Sequence, residues 1–172
     1  ATAWTDFPPG NPDFLVNSPA NTAPTDPSAA ALTQHKADTV TLIGPGASTN
    51  ETTVVFKSPV NDPDGDPCKI EVEVQLIGVA FTGTPTASTN PLVANGGTAM
   101  ATVTGLVSIN SYHWQVRVVD QNGAASNWVS FGTNPDLVAE VDFIVDTSSN
   151  VVPNNPASLG QFKLDAATPI AV

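Results

Sequence analysis

The sequence lacks the features of disulfide-stabilised, membrane-spanning or nucleic-acid-binding proteins. Its 172 residues include a single cysteine, so no internal disulfide can form. No apolar run approaches the roughly 20 residues needed to cross a bilayer. Five basic residues stand against 16 acidic ones, and the formal charge of −11 would repel nucleic-acid phosphates. We therefore expect neither a nucleic-acid partner nor a membrane span.

Sustained helical periodicity is also missing, and at best one helical turn is expected, between Ser28 and Leu32. The composition combines 16 prolines and 12 glycines with many β-branched and small polar residues, which suits short strands separated by turns. We predict an all-β chain, an antiparallel Greek-key β-sandwich of seven to eight strands. The sandwich would span residues 27–149, after an extended Pro-rich arm at 1–26 and before a linker and extra strand at 150–172.

The start of the chain and its low charge bear on localisation. The sequence begins at Ala1 with no initiator methionine and no signal-peptide pattern, as processed exported proteins do. Charged residues make up only 12% of the chain, a composition common in exported surface proteins. We therefore expect a secreted protein, located extracellularly or at the cell surface.

The segment from Leu106 to Phe131 is predicted to form a hairpin that organises the fold. From Tyr112 onwards, apolar and polar residues alternate with the period of a half-buried strand, and Asp120–Gly123 is typical of a tight turn. His113 and the polar residues of its parity are expected to face water. The predicted core residues of the whole chain are Phe56, Ile70, Val72, Val74, Leu106, Tyr112, Trp114, Val116 and Val118.

Further strands are predicted on both sides of this hairpin. The clearest is Lys69–Phe81, in which Glu71 and Glu73 alternate with the apolar residues and are expected to face water. The other predicted segments include a strand over Ala29–Ile43 with Leu32, Val40 and Leu42 inward, a loop over Gly44–Asn50, and a last strand over Leu137–Val145.

The predicted hairpin also carries a family pattern. Leu106 precedes Tyr112 by six positions, and Tyr112 opens a Y-x-W-x-V-x-V strand that ends in D-x-N-G. This combination resembles the fibronectin type III family, in which the leucine and tyrosine form a corner whose hydroxyl bonds to nearby backbone. Phe56 stands where that family usually has tryptophan. The resemblance covers about residues 27–146 and implies a non-catalytic adhesive, spacer or recognition module.

The pattern L-x-Q-x-K-x-D occurs twice, beginning at Leu32 and again at Leu159. The second copy is interpreted as the first strand of another module. Two hypotheses stay open: the chain belongs to a longer tandem array, or its tail donates a strand to a neighbouring subunit and copies assemble into a filament. The tail residues predicted at that subunit interface are Leu159, Gln161, Phe162, Leu164 and Ile170.

The Pro-rich arm carries aromatic residues for which a purely solvated tail has little use. Trp4, Phe7 and Phe14 are therefore predicted at the same subunit interface, with packing against their own domain as the alternative. Proline removes backbone donors, so the arm itself is expected to be extended rather than an inner strand.

The loop Asn61–Asp66 places carboxylates at alternate positions around a glycine, as calcium loops do. Asp62, Asp64 and Asp66 are the candidate ligands, with Asp120 as a further contributor, and Ca²⁺ is the one cofactor candidate. The alternative interpretation is a D-P-D-G turn that only connects two strands.

Catalytic motifs are absent from the sequence. His35 and His113 are expected to be exposed strand residues, and Cys68 a small buried or half-buried one. Trp4 and Trp128 could stack on sugar rings, although Trp128 is more simply a core or edge residue. We predict a non-enzymatic structural subunit of an extracellular fibre or surface array that binds copies of itself. The alternative is an adhesin or carbohydrate-binding module, with a glycan partner, from a tandem array of a larger secreted protein.

Overall fold

The fold is described from a computed structural model over residues 20–133 and 140–148. Its regular structure is all strand, apart from 3-10 turns at Ala29–Ala31 and Phe131–Thr133. No helix in the described residues is long and apolar enough to cross a membrane. The predicted all-β class is confirmed. The strands are β1 Thr33–Lys36, β2 Ala47–Thr49, β3 Val54–Pro59, β4 Cys68–Leu76, β5 Ala87–Ser88, β6 Thr98–Val103, β7 Asn110–Asp120, β8 Val129–Ser130 and β9 Phe143–Val145.

The strands form two sheets that enclose one core. One sheet has the order β1-β3-β6, and the other has the order β2-β9-β7-β4-β5, with β8 also paired to β7. From β3 onwards the chain passes to the second sheet at β4, returns to the first sheet at β6 and passes back at β7, which is the Greek-key connection of immunoglobulin-like domains. The described residues therefore form an immunoglobulin-like β-sandwich.

One strand pair departs from the antiparallel expectation. Ala47–Thr49 runs parallel to Phe143–Val145, with Ala47 opposite Phe143, whereas the other strand pairs are antiparallel. The prediction that Gly44–Asn50 is only a loop is wrong for this reason. A three-residue strand paired to a distant part of the chain leaves no local alternation from which to predict it.

Aromatic rings fill the centre of the core. The ring of Phe56 lies 4.7 Å from that of Trp114 and 5.9 Å from that of Phe143, measured between centroids. Leu32 is buried, but Val40 and Leu42 are 78% and 59% exposed, so their predicted inward packing is wrong. All nine residues expected in the core are buried: Phe56, Ile70, Val72, Val74, Leu106, Tyr112, Trp114, Val116 and Val118.

The chain turns outward after Lys36, which explains the exposure of Val40. The carboxylate of Asp38 accepts hydrogen bonds from the backbone N–H groups of Val40 and Thr41, at 2.9 and 2.8 Å. These bonds and the one from the Thr41 hydroxyl lower the pKa of Asp38 to about 2. Asp38 therefore ends β1 with a side-chain-capped turn where a longer strand was predicted.

The expected tyrosine corner is present between β6 and β7. The Tyr112 hydroxyl accepts a hydrogen bond from the backbone N–H of Val107 at 2.8 Å and donates one to its carbonyl at 3.1 Å. Leu106, beside it, is buried. This contact fixes the crossover from one sheet to the other.

The two ends of the sandwich are formed by different segments of the chain. At one end, called the arm end, lie residues 20–28, the β3–β4 loop 60–67 and the turn 120–128 after β7. At the opposite end, called the exit end, lie the β6–β7 loop 104–109 and residues 146–148, which follow β9. The first described residues therefore lie at one end of the sandwich and the last described residues lie at the other.

Candidate functional site

Asp62 organises the β3–β4 loop from inside the arm end. It is 3% exposed, and its Oδ1 accepts hydrogen bonds from the backbone N–H groups of Asp64 and Asp66, at 2.8 and 3.2 Å. Gly65 adopts φ +83° there, a conformation that favours glycine. The backbone of Asp62 is fixed in turn by the side chain of Asn95, at 2.8 and 3.0 Å. The local sequence thus folds into a tight carboxylate-centred turn.

The other two predicted calcium ligands point to different partners. Asp64 accepts hydrogen bonds from the backbone N–H and hydroxyl of Thr22. Asp66 accepts them from the side-chain amides of Gln121 at 2.8 Å and Asn122 at 2.7 Å. The described residues include no group of three His, Cys, Asp or Glu side chains arranged to hold a metal ion. The three carboxylates of the sequence pattern therefore do not meet at one point.

Asp120, at the end of β7, approaches the same region. Its Oδ1 accepts hydrogen bonds from the backbone N–H groups of Asn122 and Ala124, and its Oδ2 accepts one from the Asn21 side chain at 2.8 Å. Burial alone would raise the pKa of Asp120, but these hydrogen bonds prevail and lower it. Asp120 is therefore ionised at neutral pH and connects the turn after β7 to the arm.

The described part of the arm lies on its own domain. Thr25 donates its backbone N–H to the carbonyl of Asn61 at 3.0 Å, and Asp26 accepts the backbone N–H of Asn127 at 2.9 Å. Pro24 and Pro27 are buried between these contacts. The predicted interface residues lie outside the described residues: Trp4, Phe7, Phe14, Leu159, Gln161, Phe162, Leu164 and Ile170.

Cys68 is enclosed beside the acidic loop. Burial raises the pKa of its thiol to about 11, with further contributions from the carboxylates of Asp62, Asp120 and Asp66. Its sulfur lies 3.4 Å from the carbonyl oxygen of Asp66. A buried thiol of this pKa is protonated at neutral pH and makes a poor nucleophile.

The outer face of β4 and β7 is covered, contrary to the sequence prediction. Glu73 is 0% exposed and His113 is 4% exposed, so the expectation that both face water is wrong. The loop of residues 77–86 covers this face, where Phe81 stacks on the His113 ring at 4.2 Å and the Val79 carbonyl bonds its Nε2 at 2.8 Å. Strand alternation describes which way side chains point and not what another segment lays over them.

Glu73 anchors that covering loop with a fully satisfied carboxylate. Its oxygens accept hydrogen bonds from the Thr82 backbone N–H at 2.7 Å, the Thr82 hydroxyl at 2.9 Å and the Gly83 N–H at 2.9 Å. The side-chain amides of Gln75 and Gln115 donate two more, at 2.9 and 2.8 Å. Burial alone would raise the pKa of Glu73, but these bonds lower it to about 2. The arrangement is structural, because donors already occupy the carboxylate.

The candidate sugar-stacking residue is already engaged. Trp128 is half-buried, and the Arg117 guanidinium lies 4.7 Å from the centre of its ring. Arg117 also pairs with Glu71 at 2.7 Å. The contact with Arg117 makes Trp128 part of a surface cluster rather than an open stacking platform.

His35 is also half-buried, and its ring contacts the Val40 carbonyl and the Thr33 hydroxyl.

Comparison with known proteins gives one structural match. No family model matches the chain, and no curated protein matches it. A solved PKD domain of an M14-like peptidase from a Thermoplasmatales archaeon is similar at 21% identity and a TM-score of 0.40, over 65% of this chain and 96% of that domain. The strand order described above is what shows the immunoglobulin-like fold. It does not single out fibronectin type III within that class.

Sequence reasoning found the carboxylates of the arm end but missed the amides that join them. Asn21, Asn95 and Asn122 each bond to a carboxylate or backbone group of another segment. Asn122 belongs to the predicted turn, so its position was available from the D-x-N-G pattern. Asn21 and Asn95 stand in irregular segments whose spacing gives no signal.

Proposed function

We propose that this chain is a structural module of an extracellular linear array, in which residues 150–165 provide the arm and first strand of the following sandwich. The array is built of fibronectin type III-like modules without catalytic chemistry. One observation carries the proposal: the residues repeated near the C-terminus are those that attach the arm and β1 to the described sandwich.

The repeated pattern contains the residue types that make the contacts of β1. Leu32 lies in the core, and the side chain of Gln34 is fully buried. Gln34 accepts a hydrogen bond from the Trp114 indole N–H at 2.9 Å and donates one to the Asp142 carbonyl at 2.6 Å. Both polar groups of this buried amide are therefore paired, and a residue without them would leave a buried partner unsatisfied. Leu159 and Gln161 repeat these two residues with the same spacing.

The polar residues of the strand also have defined roles. Lys36 donates to the Asn50 side chain at 3.0 Å, and Asp38 caps the turn that ends β1. Their counterparts in the second copy are Lys163 and Asp165. All four identities of the L-x-Q-x-K-x-D pattern therefore correspond to contacts that a first strand makes in this fold.

A second shared spacing stands upstream of both copies of the strand pattern, ending five positions before Leu32 in the first copy and three positions before Leu159 in the second. The spacing N-x-x-P-x-x-P occurs at Asn21–Pro27 and again at Asn150–Pro156. In the first copy, Asn21 bonds to Asp120 at the arm end, and both prolines are buried against the domain. Since β9 ends at the exit end, a following module would be joined to the exit end through its own arm end. Such head-to-tail linkage propagates along a line.

A designed two-module chain tests the proposal. Residues 1–165 are continued directly with residues 39–148, so that 159–165 must serve as β1 of the second sandwich. We expect two folded domains, seen as a doubled near-ultraviolet circular dichroism signal and a single compact species by light scattering. The matched control carries Gln161→Ala and Leu159→Asp, which should unfold only the second domain. An unfolded second domain in the parent fusion would refute the assignment of 159–165 as a first strand.

Strand donation between separate copies is a second candidate, and β6 favours it. This strand pairs only with β3 in the described part of the chain, and Thr98, Met100 and Thr102 are exposed along it. An exposed edge of six residues can accept another strand. If donation operates, the 172-residue chain should form polymers that disappear when residues 149–172 are deleted. If the array hypothesis is correct, light scattering should give a monomer with or without those residues.

A further inference from the structure

One buried oxygen at the arm end has no protein partner. Among the described residues, Oδ2 of Asp62 is enclosed and makes no hydrogen bond, although Oδ1 of the same carboxylate accepts two. A carboxylate oxygen removed from water is costly unless a donor or a cation replaces the lost solvation. The position therefore calls for a partner that the polypeptide does not supply.

The surroundings of that oxygen are strongly negative. Asp120 lies opposite Cys68 across β4 and β7, and the Asp66 carbonyl oxygen lies 3.4 Å from the Cys68 sulfur. Asp66 in turn donates its backbone N–H to Asp62 Oδ1 at 3.2 Å, so the three acidic residues gather beside Cys68. The ion pairs found among the described residues join Glu71 to Lys69 and to Arg117, and none of them reaches these three carboxylates. Negative charge gathered without a counter-ion favours a bound cation.

Side-chain amides link two of these carboxylates, Asp66 and Asp120. Asn122 donates to Asp66 at 2.7 Å and to the Asn21 side-chain oxygen at 2.9 Å, while Asn21 donates to Asp120 at 2.8 Å. An amide presents an oxygen as well as a nitrogen, so a rotation of about 180° converts each donor into a ligand. Carboxylate and amide oxygens are the ligands that calcium prefers, six to eight at a time with water included.

We propose that the arm end binds one Ca²⁺ through Asp62 Oδ2, Asp66 and Asp120, with the amide oxygens of Asn21 and Asn122 completing the protein ligands. These three carboxylates do not converge on one point among the described residues, so binding would draw them together as the two amides rotate. This set differs from the alternation predicted in the sequence. Asp64 is excluded, because its carboxylate faces Thr22, and Asp120 takes its place. The ion would join three segments that are distant in sequence: the arm, the β3–β4 loop and the turn after β7.

Calcium fits this site better than magnesium. The ligands come from loops and a turn, and two of them are amides that must rotate, so the geometry is irregular and adjustable. Magnesium requires near-ideal octahedral geometry at short distances and gives up its water reluctantly. We therefore expect selectivity for Ca²⁺, with the moderate affinity of extracellular modules, roughly 0.1–1 mM in dissociation constant.

The test is calcium titration of the full 172-residue chain. Isothermal titration calorimetry after chelator treatment should give a saturable heat for one ion, and Ca²⁺ at roughly 5 mM should raise the unfolding temperature by several degrees. Asp62→Asn retains an oxygen for the loop N–H groups but loses the charge, and should weaken binding at least about tenfold. Asp64→Asn is the matched control from the same loop and should bind as the wild type does.

The outcomes separate clearly. Absence of both the heat and the temperature shift in the wild-type chain overturns the proposal, because it shows that water or nothing occupies the site. If Asp62→Asn and Asp64→Asn weaken calcium binding equally, the proposed ligand set is wrong. If Mg²⁺ gives the same heat and temperature shift as Ca²⁺, the choice of ion is wrong. If Asp62→Asn does not fold, Asn21→Ala and Asp66→Asn are used in its place. An unchanged calcium affinity in both variants would refute the proposed site. The array hypothesis does not enter into any of these measurements.

Discussion

Replacing Glu73 with glutamine should destabilise the sandwich in a pH-dependent way. All five groups around this carboxylate are donors: the Thr82 N–H and hydroxyl, the Gly83 N–H, and the amides of Gln75 and Gln115. A glutamine side chain keeps the shape but puts an NH₂ group against some of those donors. At least one buried donor then lacks an acceptor, and the charge that strengthened the other bonds is gone.

The size of the effect follows from the carboxylate's acidity. A pKa lowered from 4.5 to about 2 corresponds to about 3 kcal/mol of stabilisation by the ionised form. Partial solvent screening near a surface loop reduces this to about 2 kcal/mol. Adding the unpaired donor, at about 1–3 kcal/mol, we expect Glu73→Gln to lower the free energy of unfolding at pH 7 by about 3–5 kcal/mol.

The pH dependence gives the sharper test. Because the folded pKa is lower than the unfolded one, the charge stabilises fully above about pH 4.5 and its contribution falls as the pH drops towards 2. We follow urea unfolding by tryptophan fluorescence. The difference in free energy of unfolding between wild type and Glu73→Gln should decrease by about 1 kcal/mol from pH 5.5 to pH 3.5. Glu140→Gln, at an exposed position, serves as the control. A gap that stays constant with pH would refute the reasoning.

Three further predictions concern single contacts. Gln34→Ala leaves the Trp114 indole N–H without its acceptor and should cost about 1–3 kcal/mol in urea unfolding, whereas a loss below 0.5 kcal/mol would contradict this contact. Tyr112→Phe removes both hydrogen bonds to Val107 and should cost about 1–2 kcal/mol, measured against wild type by thermal unfolding. Cys68, with its pKa raised to about 11, should react with a thiol reagent only slowly in the folded chain and rapidly in urea, and equal rates would exclude its burial.

The parts of the fold that follow from local pattern were predictable. Trp114, Val116 and Val118 alternate with polar residues, and that alternation alone places them between the sheets. Features that depend on distant segments were not. Glu73 is buried because residues 77–86 cover its face, and Ala47–Thr49 is a strand because β9 lies beside it. Nothing in either local sequence records the partner, since strand pairing and loop placement are set by tertiary packing.

The acidic loop was predictable as a loop, but its chemistry was not. The spacing of Asp62, Asp64 and Asp66 suggested three equivalent ligands, yet the three carboxylates have different surroundings in the folded chain. Only Asp62 retains an unpaired oxygen. Equivalence in a sequence pattern is lost once a turn sends successive side chains towards different neighbours.

The calcium and array proposals together make one prediction that neither makes alone. In the spacing N-x-x-P-x-x-P, Asn150 occupies the position of Asn21, so in the two-module fusion it should supply a ligand to the second arm end. That fusion should bind two Ca²⁺ ions by calorimetry, and Asn150→Ala should weaken only one of them. Asn154→Ala is the control, because Asn154 corresponds to Thr25, which bonds to the Asn61 carbonyl and not to the acidic network. Two unaltered sites in Asn150→Ala would mean that the second arm does not repeat the contacts of the first, even if each sandwich folds and binds calcium.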